Sequence, residues 1–326
     1  MIYFGNQAPF QQHGEAMVLS RRRLLGAAVC GLALPAVLPG LARAEAPARL
    51  AAGAASATAL GAAVQRALHQ IIDLPPVFAD PLAVAMLGAG SARTLQAAAD
   101  RPSRGLRAYI AMRSRHAEDQ LAAAVQRGLR QYVLLGAGLD SFACRNPHPG
   151  LRVFEVDHPA TQQWKRQRLA EAGITAPDRL TFVPVDFEKQ RLDRQLELHG
   201  FRFDEPAFFS MLGVVIYISE EALDQTLRVV AGCAPGSGVT FSYTLPAHRL
   251  DAAARAARER SMAAVARLGE PWITFLEPET LPPRLRAAGF NRIELLDGAE
   301  GNRRYFDGRA DGLRLSSSAQ MATAWI

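Results

Sequence analysis

Between Gln131 and Tyr243 the chain switches repeatedly between two hydrophobic periods. Gln131-Tyr132-Val133-Leu134-Leu135 reads as a short buried strand, as do residues 151–157, 180–186, 207–212 and 238–243. Helical stretches at 159–172 and 220–231 lie between them. Strands that alternate with helices are joined by crossovers, and crossovers build a parallel sheet covered on both faces. The expected fold is therefore α/β, a Rossmann-like, doubly wound and mostly parallel sheet. Residues 292–296 and 321–326 are expected to close it.

Upstream, Ala59, Ala63, Ala67 and Ile71 recur at helical spacing until Leu74-Pro75-Pro76. Asp80-Pro81-Leu82 opens a second, short helix. Residues 106–129 form a third, with Ile110, Ala117, Leu121 and Val125 on one side and Gly128 as its stop. Residues 249–268 make a polar-faced helix that interrupts the alternation, and residues 246–280 are read as a helical cap. A single domain spans 47–326, with its ligand-binding core at 129–245. With 49% hydrophobic residues, a chain of 326 can bury a large core.

Residues 1–46 read differently. Arg21-Arg22-Arg23 precedes the apolar stretch 24–38, and Ala42-Arg43-Ala44 comes after it, in the order of an export signal of twin-arginine type. The alternative is a disordered basic leader. The apolar stretch contains Pro35 and falls short of the ~20 residues a spanning helix needs, so no stable membrane span is expected. Met17 is a natural start for such a signal. The net charge of +6 owes much to this leader. The remainder interleaves arginine with Asp and Glu instead of forming a basic stripe, which argues against nucleic-acid binding. Three scattered cysteines exclude a disulfide framework.

Chemistry concentrates where the first strand meets Gly136-Ala137-Gly138-Leu139-Asp140. Glycines there allow a sharp turn and let a ligand approach bare backbone. Asp157 closes the second strand about 20 residues after Gly138, the spacing of an acid that reads ribose hydroxyls. The alternative for Asp157 is a helix N-cap before Pro159. Asp186 closes the third strand at the same sheet edge, where a carboxylate or its flanking backbone accepts from an adenine amino group. Ser141 stands where a dinucleotide fingerprint has its last glycine, the one that admits a pyrophosphate. A nucleoside sulfonium without pyrophosphate suits this loop better.

Residues 131–147, Val153-Phe154-Glu155-Val156-Asp157-His158-Pro159 and 182–187, together with Asp80-Pro81-Leu82, Arg113-Ser114-Arg115 and 209–217, resemble the leucine carboxyl methyltransferase family. The bacterial O-methyltransferase branch of that family is the nearer likeness, over about residues 56–326. The resemblance implies a class I methyltransferase fold and S-adenosyl-L-methionine as cofactor, with a small molecule as methyl acceptor. It implies that Arg113, with Arg115 as the alternate, holds the cofactor's carboxylate, for which a guanidinium fork is well shaped. The alternative for either is an exposed helix charge. The backbone of Gly136, Ala137 and Gly138, continuing to Asp140, would line the methionyl part. Asp157 would bind ribose, and Asp186 with Phe187 would frame adenine. Where protein-methylating members carry a glutamate after the fourth strand, this chain has Leu212-Gly213. Leu212 is kept as a cofactor neighbour, but the departure argues against a phosphatase C-terminus as substrate.

No catalytic base is assigned. His158, His116 and Tyr217 are the nearest candidates by motif position, but each histidine reads sooner as a cap or a packed side chain than as a base. Tyr217, Trp164 and Trp272 line an acceptor pocket or fill core. A nicotinamide oxidoreductase lacks its third glycine and its Tyr-x-x-x-Lys pair here. A serine hydrolase lacks its G-x-S-x-G elbow, and the seven histidines show no metal-ligand spacing. An exported, non-catalytic binding protein on the same fold is favoured by the leader alone. Cofactor supply favours the cytoplasm and the leader favours export, so the two signals conflict.

Overall fold

The computed structural model describes residues 56–326, apart from 89, 100–103 and 188. The leader with its paired arginines falls outside the described residues. The described chain begins with α1 (Ala57–Ile72), capped by the Ser56 hydroxyl, which accepts from the Ala59 N–H. Its buried side is Ala63, Val64, Ala67 and Leu68, whereas Ile71 is exposed. The buried stripe thus keeps Ala63 and Ala67 of the expected one, adds Val64 and Leu68, and stops short of Ile71. Asp80-Pro81-Leu82 forms turns that lead into a single 3-10 turn at Ala85–Leu87. α2 (Ser91–Ala99) and the long α3 (Arg104–Gln126) come next. The alanine-rich α2 buries only Leu95 and Ala98, so it leaves no periodic signature.

The core then runs in strict alternation: β1 (Gln131–Leu135), α4 (Phe142–Arg145), β2 (Arg152–Asp157), α5 (Pro159–Glu171), β3 (Leu180–Pro184), α6 (Leu192–Leu198), β4 (Ala207–Met211), α7 (Glu220–Ala231), β5 (Gly238–Tyr243). After it come α8 (Ala252–Ala266), α9 (Leu281–Ala288), β6 (Arg292–Asp297), α10 (Gly298–Tyr305) and β7 (Gln320–Trp325). β3 stops at Pro184, two residues short of the expected end, because its partner strand β2 ends at Asp157, whose carbonyl takes a last hydrogen bond from the Val185 N–H at 2.9 Å. α10 begins Gly-Ala-Glu-Gly, a weak helix former by propensity. Contact selects it: a Cβ on Gly301 would lie 2.5 Å from Leu315 Cδ1.

Among the described residues the strands form one seven-stranded sheet in the order β3-β2-β1-β4-β5-β7-β6. β1 to β5 pair in parallel, and β7 runs antiparallel to both β5 and β6. The pleat divides the core. Val133, Leu135, Phe209 and Phe241 face one cluster with α6, α7 and α9, while Tyr132, Leu134 and Phe208 face another beneath α3 and α4. Helices α1 and α2 form a third cluster with Leu139 and Leu169. The connections leave β1 and β4 in opposite directions, so a crevice opens at their carboxyl ends, the place where open α/β sheets take ligands. No described helix is long and apolar enough to cross a membrane.

Candidate functional site

At the end of β1 the backbone turns through Gly136 (φ +67°) and Gly138 (φ +50°), left-handed values that favour glycine. The N–H groups of Gly136 and Ala137 both donate to the Val156 carbonyl, at 2.8 and 3.1 Å, which pins the turn to β2. Gly136 must also lack a side chain, since a Cβ there would lie 2.3 Å from Val214 Cγ2, just beyond β4. The Gly138 N–H donates to Asp157 Oδ2 at 2.5 Å, and the His158 N–H donates to Oδ1 at 2.7 Å. Asp157 is not the cap of α5; that position belongs to His158, whose Nδ1 accepts from the Ala160 N–H. Each oxygen of Asp157 keeps a second lone pair for a hydroxyl donor. Burial pushes this carboxyl above its usual range, and the two N–H donors offset only part of that rise.

Arg113 reaches the crevice from α3. Its guanidinium lies beside Gly213, where a Cβ would come within 2.5 Å of Nη1. It is partly buried and has no carboxylate partner among the described residues; the Tyr109 ring, 6.0 Å from Cζ, is its aromatic neighbour. Burial lowers its pKa, and nearby Arg66 pushes in the same direction. Arg115 is differently placed. It pairs with Asp119 at 2.8 Å on the exposed side of α3 and donates to the Val77 carbonyl. The helix therefore presents one arginine to the crevice and the other to solvent.

The remaining candidates divide. Asp140 does not turn its carboxylate to the crevice. Oδ2 faces Arg66 Nη1 at 3.2 Å and Oδ1 accepts from the Phe142 N–H at 2.7 Å, so its charge is spent on shaping the loop. Burial acts to raise its pKa, but Arg66 and Arg145 outweigh that and hold it low. Asp186 sits past the end of β3, with Lys189 Nζ 2.8 Å from Oδ2. The Phe187 ring packs with the cluster under α6 and α7, and it lines a groove of about 720 Å³ between those helices. The ring thus serves packing. Leu212, just past the end of β4, packs against the cluster that holds Met112, Leu296 and Met321, and the next N–H, that of Gly213, donates to Ser242 Oγ at 2.7 Å.

Neither histidine is placed as a base. His116 is buried, with Nδ1 on the Tyr305 hydroxyl and Nε2 on Thr323 Oγ1, both at 3.0 Å. His158 is occupied as a cap. The Tyr217 hydroxyl accepts from Trp272 Nε1–H at 3.2 Å, and burial raises its pKa, so it stays protonated. Two parts of the surroundings carry no sequence signal. Glu270, in the segment after α8, accepts from the Ala57 N–H at 2.7 Å and the Thr58 N–H at 3.3 Å, and it bonds the Ser56 and Thr58 hydroxyls. This straps the cap segment to the start of α1. Arg66 is the second, and an arginine on an alanine-rich helix reads as an exposed charge until its partners, far away in sequence, are known.

A model of the family described as leucine carboxyl methyltransferase matches residues 59–231. Over 189 residues the chain is 36% identical to a Bacillus subtilis protein provisionally named S-adenosyl-L-methionine-dependent methyltransferase YktD, a stretch covering 57% of this chain and 62% of that one. A Parafrankia relative with the same provisional description is 43% identical over 135 residues, 40% of this chain and 43% of its own. The chain thus spans less than two thirds of either. A Frankia alni protein so described is 34% identical over 252 residues, covering 72% of this chain and 87% of its own. Among solved structures, a protein from Thermobifida fusca provisionally described as a methyltransferase superposes with a TM-score of 0.52 at 18% identity, over 81% of this chain and 93% of that one. That likeness establishes the fold.

Proposed function

This chain belongs to the leucine carboxyl methyltransferase family, and from that membership we propose that it is an S-adenosyl-L-methionine-dependent methyltransferase acting on an oxygen of a small molecule. One observation carries the reading: a partly buried Arg113 guanidinium without a carboxylate partner among the described residues stands beside Gly213 at the switch point of the sheet. An uncompensated cation in such a place is costly unless an anion comes to it. The cofactor's carboxylate is the anion we assign.

The neighbouring residues fit the rest of that molecule. Gly136, Ala137 and Gly138 offer close backbone, and Asp157 offers two free lone pairs to a ribose diol. Asp186 and the Phe187 backbone lie past the end of β3, on the adenine side. When bound, S-adenosyl-L-methionine supplies a methyl group on a sulfonium, already activated toward in-line displacement. The residues have to align the acceptor, hold it and exclude water. Tyr217, a protonated phenol tied to Trp272, can donate a hydrogen bond to an acceptor oxygen. With both histidines engaged elsewhere, an acceptor that arrives already ionised, a carboxylate, suits this crevice better than an alcohol.

Calorimetric titration of the purified protein with S-adenosyl-L-methionine and, separately, with NAD tests the cofactor. Heat with NAD alone would overturn the reading. Incubation with methyl-labelled cofactor and a cell extract tests the acceptor. Label released by mild base as methanol marks a carboxyl ester, whereas base-stable label marks an ether and removes the carboxylate assignment.

A further inference from the structure

The glycine loop owes its shape to contacts outside itself. Two residues with positive φ within three positions leave the backbone of 136–138 little intrinsic preference. The next two residues, Leu139 and Asp140, are clamped instead. Arg66, on α1 and 8% exposed, donates through Nη2 to the Leu139 carbonyl and through Nη1 to Asp140. Its Nε lies 3.1 Å from Oδ2 of the fully buried Asp80. Asp80 is fixed in turn: its Oδ1 accepts from the Leu82 N–H at 3.1 Å, and Arg145 Nε approaches it at 3.7 Å. Arg145 reaches back to Ser141 Oγ and to Glu118 on α3.

We propose that Arg66 is a positioning residue for cofactor binding: held by Asp80, its planar fork grips Leu139 and Asp140 and so sets Gly138 against Asp157. This rests on the cofactor reading above. The fork matters because two N–H groups in one plane meet acceptors on adjacent loop residues while the same cation stays in ion-pair contact with Asp80 on another segment, which a lysine cannot reproduce. Pairing with Asp80 and Asp140 also neutralises Arg66, so that Arg113 is, among the described residues of the crevice, the cation without a carboxylate partner. A loop held in its binding shape beforehand loses less freedom when ligand arrives, and affinity rises accordingly.

The experiment compares wild type, Arg66→Lys, Asp80→Asn and the double variant. Two readouts apply below the unfolding temperature: calorimetric Kd for S-adenosyl-L-methionine, and amide resonances of protein labelled with ¹⁵N-glycine. Losing one charged hydrogen bond from the clamp corresponds to roughly a tenfold change. Arg66→Lys is therefore expected to raise Kd at least tenfold and to shift or broaden the Gly138 amide, leaving the Gly213 amide in place. Asp80→Asn, which touches neither loop nor ligand, is expected to act in the same direction, and the double variant is expected to be no worse than Arg66→Lys. A role confined to stability would lower the melting temperature and leave Kd and the Gly138 resonance unchanged; that result overturns the proposal. Should Arg66→Lys fail to fold, Asp80→Asn decides alone by the same two readouts. If the wild type gives no heat with the cofactor, the functional reading fails, and the Gly138 resonance still decides for or against the clamp.

Discussion

The Gly138 amide and the Asp157 carboxylate are joined by a 2.5 Å hydrogen bond that ties the ends of β1 and β2 together. The carboxyl is nonetheless held above its ordinary value of 3.8, because burial outweighs its two backbone donors. Taken alone, the ionised form therefore costs the fold stability. That contribution is absent below the unfolded value and grows as pH rises through the folded one. Ribose hydroxyls donating to the carboxylate favour its ionised form and draw the pKa down. Binding of S-adenosyl-L-methionine at mildly acidic pH is thus expected to release a proton from Asp157. Titrations in buffers of different ionisation enthalpy would give different heats for wild type and equal heats for Asp157→Asn. Buffer-independent heat in wild type counts against the ribose role. Asp157→Ala should weaken binding by about 1–3 kcal/mol, the cost of polar partners left unpaired.

Arg113 predicts an opposition between stability and function. Its guanidinium is desolvated without a counter-ion among the described residues, so replacement by an apolar side chain of similar length removes a penalty. Arg113→Met is expected to melt no lower than wild type without ligand, and to lose the rise in melting temperature that the cofactor produces. Arg115→Met, which breaks only a half-exposed pair with Asp119, should change stability by less than about 1 kcal/mol and leave binding intact. If the two substitutions had interchanged effects on binding, the assignment of the arginines would be reversed.

The parts of this architecture that are legible in sequence are those with a local cause. β1, β5 and α7 are bounded by apolar runs and by Gly or Ser punctuation, and their expected ends agree with the structure. The glycine turn and Asp157 are legible because spacing along the chain becomes adjacency at the sheet edge. The hidden parts depend on partners far away in sequence. Glu270 caps a helix more than 200 residues upstream, and Arg66 finds Leu139 across 73 positions. Asp140 reads as a ligand contact because it neighbours the glycines. Only the fold reveals that Arg66 claims its carboxylate, and that the Phe187 ring packs inward.

The two glycines should differ in tolerance. Gly138→Ala meets Ala59 Cβ at 3.1 Å and keeps a left-handed conformation, so a loss of about 1–2 kcal/mol is expected. Gly136→Ala combines a left-handed φ with a 2.3 Å approach to Val214 Cγ2, a collision that forces the segment after β4 to move. It should cost more, about 2–3 kcal/mol, with part recovered in Gly136→Ala/Val214→Ala. Urea unfolding of wild type, Gly138→Ala, Gly136→Ala, Val214→Ala and the double variant measures this. Strict additivity would mean that Val214 is not what excludes a side chain at 136.

Beneath Asp157 lies a buried ion pair formed by one of only two lysines in the chain. Lys165 Nζ is 2.5 Å from Glu155 Oε2, with side chains 2% and 1% exposed. Removing one partner strands the other charge where water cannot reach it, so Lys165→Met is expected to cost about 3–5 kcal/mol at neutral pH. Replacing both, as Lys165→Met/Glu155→Gln, removes the stranded carboxylate and should recover most of that loss. The pH dependence has a definite sign. Burial already raises the Glu155 pKa above its usual value, and without the lysine it rises further. The penalty in Lys165→Met is therefore present above the folded pKa and fades as acid protonates Glu155. Relative to wild type, this variant should be less impaired at pH 5 than at pH 8 in urea titrations, while the double variant shows little such trend. Equal losses in single and double variants at both pH values would show that side-chain packing, and not charge compensation, is what the lysine contributes at the foot of the crevice.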